Sequence, residues 1–374
     1  MRLIHKNPAG AKRLRVCYIL SYYFPSYVRS QTIINGLQQI PGAEVYTAVN
    51  TTTHIWRYAQ TCINLLKTRF QHKPDIYILG FRGYELYWLI RLLTIGKQLI
   101  FDHMMSPYDS LVHEKKSIKA ESIWGKLLYW YEKTVLANAS LVLTDTDLHK
   151  QFFSEHFHIE PAHFDVIPVG ADESLFYPQT QPISPQATPF SVFFYSSFLP
   201  LHGIDIILEA AILLRPYPIQ LILVGGHKRN LTQFYQTITQ NQLTNIVHHK
   251  WVDYEQLPSL IAQADLCLGG PFGNTGQAKR VITGKTYQFL AMAKPTVVGE
   301  LARVSKFFQD KDNCLLVPQG DAAALADAIY WAYENQTKLS AIATGGYELY
   351  QSFFSASRIS QRLETILLRE VLVR

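Results

Sequence analysis

Residues 273–295 read GNTGQAKRVITGKTYQFLAMAKP, and Gly284-Lys285-Thr286 within them has the composition that ends a P-loop. A P-loop also requires a glycine five positions before the second one, and Lys279 stands there. It further belongs after the first strand of a βαβ unit, whereas this segment lies late in a 374-residue chain. Phosphate chemistry does not depend on the motif. Gly269, Gly270, Pro271 and Gly273 follow the apolar run 264–268, Lys279, Arg280 and Lys285 come next, and TYQFLAMA reads as a helix. A helix N-terminus offers backbone N–H groups and a positive dipole end to an anion, and three cations stand close by. The alternative is a solvated basic surface turn.

The elements that must position these residues are set by the rest of the chain. Its length suits two domains. With 48% apolar and 17% charged residues it can bury a sizeable core, and its net charge of +6 suits anionic substrates or a membrane surface. No basic block or binding signature points to nucleic acid. Cys17, Cys62, Cys267 and Cys314 are far apart, so neither a disulfide framework nor a zinc site is expected, and a reducing, cytoplasmic setting is. The basic N-terminus followed by VCYILSYYF imitates a signal peptide, but its apolar run is short and lacks a small-residue cleavage site; a buried first strand is the expectation. The stretch YELYWLIRLLTIGKQLI is interrupted by Arg91 and Lys97, so no transmembrane helix is expected.

Short apolar runs alternate with helical patterns. LRVCYIL, AEVYTAV, DIYILG, KQLIFDHM, SLVLT and FDVIPVG read as strands. RSQTIINGLQQI, RYAQTCINLLKTRF, YELYWLIRLLTIG, SIWGKLLYWYEKTVLANA and DLHKQFFSEHF read as the helices between them. Such alternation predicts a parallel, doubly wound sheet. YPQTQPISPQATP (177–189), with four prolines, reads as a linker. A second alternating set starts at FSVFFYSS. The expected class is therefore α/β, with one Rossmann-like domain over 1–180 and a second over 188–345. RISQRLETILLREVL reads as a helix, and the C-terminal segment 355–374 is a candidate to pack on the first domain. Ligands of open α/β sheets bind beyond the carboxyl ends of the strands, so two facing domains create a cleft shared by two substrates.

Five segments carry a resemblance in order: FLPLHGIDIILEAA (198–211), LILVGG (221–226), WVDYEQLPSLIAQADLCL (251–268), RVITGKTYQFLAMAKPTVV (280–298) and NCLLVPQGDAAALADAI (313–329). In combination they resemble the GT-B glycosyltransferases of family four, the large retaining group, over roughly the last 210 residues. FDVIPVGADESLFYP (164–178) resembles the family's turn into the linker. The resemblance implies a GT-B fold, a nucleotide-sugar donor on the second domain, an acceptor on the first, and no obligatory metal or other cofactor.

The resemblance also assigns residues. The family's phosphate-binding Arg and Lys fall on Ser197 and His202, and its two Glu positions fall on Arg280 and Gln288. Gln288 retains the capacity to bond a ribose hydroxyl, while Arg280 with Lys285 replaces the missing phosphate charge. FDHMMSPYDS (101–110), at a strand end, resembles the loop that carries a His near the sugar; His103 is the catalytic candidate, and the alternative is a structural His. Asp102 and Asp109 are candidates for acceptor hydroxyls, and Arg29, in the loop after the first strand, for an acceptor phosphate. TDTDLHK imitates a manganese-binding pair but precedes a helix, where Asp and Thr are ordinary N-caps. Trp251 and Tyr254 are candidates for the base pocket.

The function expected is sugar transfer from a nucleotide-sugar to a glycan or lipid-linked acceptor. Two alternatives stay open: a nucleotide-sugar epimerase of the same architecture, and a catalytically silent relative that binds a partner. RYAQTCINLLKTRF and IWGKLLYWYEKT either pack on the sheet with lysines extended along the surface or lie on the inner face of a membrane.

Overall fold

A computed structural model describes residues 14–179, 189–301 and 307–372. Most of the 177–189 linker segment, residues 180–188, lies outside the described residues. The first domain alternates β1 (Leu14–Leu20), α1 (Val28–Gln38), β2 (Ala43–Val49), α2 (Trp56–His72), β3 (Ile76–Leu79), α3 (Tyr87–Leu93), β4 (Gln98–Asp102), α4 (Ile123–Asn138), β5 (Leu141–Thr144), α5 (Asp147–Phe157) and β6 (Phe164–Val166). The second alternates β7 (Phe190–Ser196), α6 (Ile204–Leu213), β8 (Ile219–Gly225), α7 (Lys228–Gln240), β9 (Ile246–His249), α8 (Leu257–Gln263), β10 (Leu266–Gly270), α9 (Gly284–Ala291), β11 (Thr296–Gly299) and β12 (Leu315–Val317). It continues with α10 (Ala322–Glu334), α11 (Gln336–Phe353) and α12 (Ala356–Leu372).

All strand pairs are parallel, as continuous apolar strands covered on both faces require. The sheet orders are β2-β1-β3-β4-β5-β6 and β12-β11-β10-β7-β8-β9. Strand β1 shows why both faces are buried. Val16, Tyr18 and Leu20 point to α1 and α12, while Cys17 and Ile19 point to the opposite layer with Leu65, Tyr87, Ile90 and Val135, following the two-residue period of a strand. In β7 the same alternation sends Val192 and Phe194 to one face and Phe193 to the other.

The order of the second sheet reverses at β7 and β10, and the order of the first at β1 and β3. Chains leaving neighbouring strands at such a switch point diverge and leave a crevice. The segments after β7 and β10 carry Ser197, His202, Arg280, Lys285 and Gln288, Arg29 follows β1, and Asp102, His103 and Asp109 lie at the end of β4 or after it.

Helix α12 returns to the first domain. Its Ile359, Leu363, Ile366 and Leu367 are buried with Val16, Ile33 and Leu37. The crossing is fixed by Glu173, whose Oε1 accepts from the Tyr350 hydroxyl at 3.0 Å and from the Ala356 N–H at 2.8 Å.

Candidate functional site

Lys285 stands in the first turn of α9, and two contacts put that turn at the end of β10. The Thr283 hydroxyl donates to the Gly269 carbonyl at 2.6 Å. Thr286 is fully buried, and a Cβ on Gly269 would lie 2.7 Å from its Oγ1. Glycine therefore permits the close approach of helix and strand, and the threonine of the Gly-Lys-Thr tripeptide is a packing residue. The loop after β7 meets the loop after β10 in the same way. Gly203 has φ +67° and a Cβ there would lie 2.5 Å from the Gly273 nitrogen, while one on Gly273 would lie 2.1 Å from the Pro200 carbonyl oxygen. Backbone against backbone, these glycines bring the 197–203 loop beside α9.

Lys285 is buried, and no carboxylate among the described residues pairs with it. Its Nζ lies 5.0 Å from the centre of the Phe194 ring. Burial pulls its pKa down to about 7, because an ammonium out of water without a counter-ion loses hydration that nothing replaces. His202 lies near enough to feel this charge: burial and then the Lys285 ammonium hold its imidazole well below the usual range. Its Nδ1 accepts from the Leu199 N–H at 3.3 Å. Ser197 is exposed at the end of β7.

Arg280 reaches across the cleft. Its guanidinium donates to the Asp109 carboxylate of the first domain and lies 3.8 Å from the Phe152 ring centre, while its Nε is buried without a partner. Its carbonyl accepts from the Thr146 hydroxyl at 2.6 Å. Next to this contact, the Gln277 N–H donates to Glu114 Oε1 at 2.7 Å. Asp109 and Glu114 begin and end one π-helical turn, Asp109–Glu114. Two carboxylates of the first domain thus occupy a cation and an amide of the basic segment. Asp109, expected to meet acceptor hydroxyls, is instead the partner of Arg280, and Arg280 and Lys285 are not joined at one anion.

Arg29 and Asp102, expected to meet an acceptor, are corrected by burial. Arg29 and Asp102 are both fully buried and form an ion pair, with Nη2–Oδ1 at 2.7 Å and Nε–Oδ1 at 3.1 Å. Arg29 also donates to the Pro168 carbonyl at 3.0 Å and to that of Ile167. The pair ties α1, β4 and the chain after β6 together and offers no atom to an acceptor. Gln288, one turn after Lys285, is held at both ends of its amide. The Tyr195 hydroxyl donates to its Oε1, and its Nε2 donates to the Tyr254 hydroxyl at 2.9 Å. It bridges two tyrosines. Burial pushes the Tyr254 phenol up to about 12, so both rings stay neutral. Trp251 is exposed.

His103 follows β4 and is 2% exposed. Its Nε2 lies 3.0 Å from Glu132 Oε1, and Glu132 Oε2 accepts from the Tyr108 N–H at 2.8 Å. The rings of Phe101 and Phe153 lie 5.3 and 4.7 Å from its own. A buried carboxylate on one imidazole nitrogen fixes the orientation of the ring. Glu132, on α4, has no signal in the sequence beyond being an acid amid aromatic residues. Nearby, Thr146 is the N-cap of α5, accepting from the His149 N–H at 3.1 Å, and Asp145 Oδ1 lies 2.5 Å from His149 Nδ1.

Residues 189–335 match the family model for glycosyl transferases group 1. No curated protein matches the chain. Solved structures do. Sucrose-phosphate synthase from Thermosynechococcus elongatus superposes with a TM-score of 0.74 at 15% identity, over 97% of this chain and 100% of that one. HepE from Anabaena, in complex with UDP and glucose, gives 0.71 at 16% identity, over 95% and 100%. A glycosyltransferase from Rickettsia africae gives 0.70 at 12% identity, over 96% and 99%. The fold is that of the GT-B glycosyltransferases.

Proposed function

We propose that the protein transfers a sugar from a nucleotide-sugar to a glycan or lipid-linked saccharide, with retention of anomeric configuration, as in family four. The observation that carries this reading is Lys285. Its amine is buried with no carboxylate partner among the described residues, at the switch point of the second sheet and inside the segment that matches the family model. The diphosphate of a donor supplies the missing counter-charge. The UDP bound by HepE makes uridine nucleotides the first donors to test.

In the proposed step the bond between the anomeric carbon and the diphosphate oxygen breaks, and its electron pair leaves with the phosphate. The acceptor oxygen bonds to the anomeric carbon, and its proton passes to the departing phosphate. Lys285 and the N–H groups opening α9 stabilise the charge that develops on the leaving group. Arg280 joins them when it releases Asp109. His103, oriented by Glu132, positions the sugar. No obligatory metal is part of this reading.

Titration calorimetry with UDP, other nucleoside diphosphates and their sugars tests it, followed by an assay of donor consumption with saccharide and lipid-linked acceptors. Binding of one nucleoside diphosphate that Lys285→Ala weakens about tenfold or more is the expected result. Absence of binding by every nucleotide overturns the reading. Binding without turnover favours a silent relative, a role consistent with Arg280 and Gln288 both being engaged within the protein.

A further inference from the structure

The first domain carries an outer surface that its fold does not explain. Helices α2, α3 and α4 bury Leu65, Ile90 and Val135 against the same face of the sheet. Their opposite sides should be polar. On α2 the outward stripe instead holds Trp56, Ile63 and Phe70, spaced by seven residues. On α3 and its end it holds Trp88, Leu92 and Ile95, and on α4 Ile123, Leu127 and Trp130. These nine side chains are between 43% and 72% exposed. The stripes adjoin one another. Arg69 of α2 donates to the Ile95 carbonyl at 3.2 Å, and the Tyr131 hydroxyl of α4 donates to the Tyr84 carbonyl, just before α3, at 2.6 Å.

The charge around this surface is predominantly positive. Residues 56–138 hold twelve Lys and Arg against seven Asp and Glu. Of these acids, Asp75 pairs with Arg15, Asp102 with Arg29 and Asp109 with Arg280, cations outside the segment, while Glu85 pairs with Arg57 and Arg82 within it and Glu132 faces His103. Lys67, Lys126 and Lys133 lie among the apolar stripes, and Lys115, Lys116 and Lys119 precede α4.

We infer that this face docks on an anionic lipid bilayer. Apolar and tryptophan side chains enter the headgroup boundary, where amphipathic indoles are favoured, while the lysines meet anionic headgroups. A second copy of the chain fits less well, since a two-fold contact sets the same patch on itself and opposes its own lysines. No helix among the described residues is long and apolar enough to cross a membrane, so the chain lies on the surface. The π-helical turn at the cleft ends nine residues before α4 begins. On the sugar-transfer reading, that places a lipid-linked acceptor beside the site.

The test is co-sedimentation of the full chain with phosphatidylcholine vesicles, with and without phosphatidylglycerol. Binding to the anionic vesicles that falls with salt is expected. Leu127→Glu with Trp130→Glu should weaken it by about tenfold or more, and Lys126→Glu with Lys133→Glu should remove the preference for phosphatidylglycerol. Both doubles should retain wild-type thermal unfolding and nucleotide affinity, which separates this inference from the proposed transfer. No sedimentation with either vesicle overturns it, as does sedimentation unchanged in the Leu127/Trp130 double. A dimer seen by light scattering that this double dissolves, without vesicle binding, assigns the face to a second copy.

Discussion

Arg280 of the second domain is bonded to Asp109 of the first, over the ring of Phe152. The cation proposed to serve the donor is therefore held by a carboxylate of the first domain. Asp109→Asn keeps the shape and removes the competing charge. It should tighten binding of the nucleoside diphosphate severalfold, whereas Arg280→Ala should weaken it about tenfold. Calorimetric titration of both variants checks this; equal weakening by both would show that the pair acts only as a domain clamp.

Lys285 gives a pH dependence with a definite sign. Its folded pKa of about 7 lies below the ordinary 10.5. Above pH 7 the unfolded chain binds the extra proton, so stability rises with pH from about 7 toward 10. Below 7 both states are protonated and the full cost of the buried charge remains. Lys285→Met should therefore raise the melting temperature, more at pH 6 than at pH 9, while weakening nucleotide binding. Scanning calorimetry across that range is the measurement.

The same group predicts proton uptake on binding. At pH 8 the free amine is largely neutral, and a diphosphate beside it restores the charged form. Titrations in buffers of different ionisation enthalpy should show uptake of a fraction of a proton, absent in Lys285→Met. Apparent affinity should fall as the pH rises above 7.

Glu132→Gln retains an acceptor for the Tyr108 N–H and loses the charge that faces His103. If His103 works on the sugar, kcat should drop about a hundredfold with the donor affinity unchanged. A change confined to thermal stability would make the dyad a structural feature.

Arg29 and Asp102 are a structural pair. Asp102→Ala leaves a buried guanidinium without its counter-ion and should cost about 3–5 kcal/mol, read from urea unfolding. A neutral variant at this depth would contradict the burial of the pair.

The limits of the sequence follow from the same residues. Runs such as LRVCYIL and FSVFFYSS announce buried parallel strands because their apolar content is continuous, and Lys285 is legible because its cations and glycines are local. Arg29 and Asp102 are 73 positions apart, and nothing in either neighbourhood says that they meet. Glu132 lies 29 positions from His103 and is invisible for the same reason. Helix α11 carries no reading from sequence, since Gly345 and Gly346 at its centre argue against a helix. They are there because a Cβ on either would stand 2.5 Å from the Asp312 carbonyl oxygen or 2.8 Å from that of Asn313.

The return of α12 to the first domain means that, in chain terms, the second domain is an insertion. Both ends of the described chain belong to one body, and the chain passes between the bodies twice. A protease cut within 180–188 would therefore not release two independent halves. The larger fragment would carry α12 still seated on α1, and Glu173 of the smaller fragment would still hold Tyr350 and Ala356 of the larger. Nicked protein should run as one species in gel filtration and part only in denaturant. The first domain made alone, ending before the cut, would expose the faces of Val16, Ile33 and Leu37 that α12 covers. Expression of isolated domains should accordingly fuse α12 back onto the first.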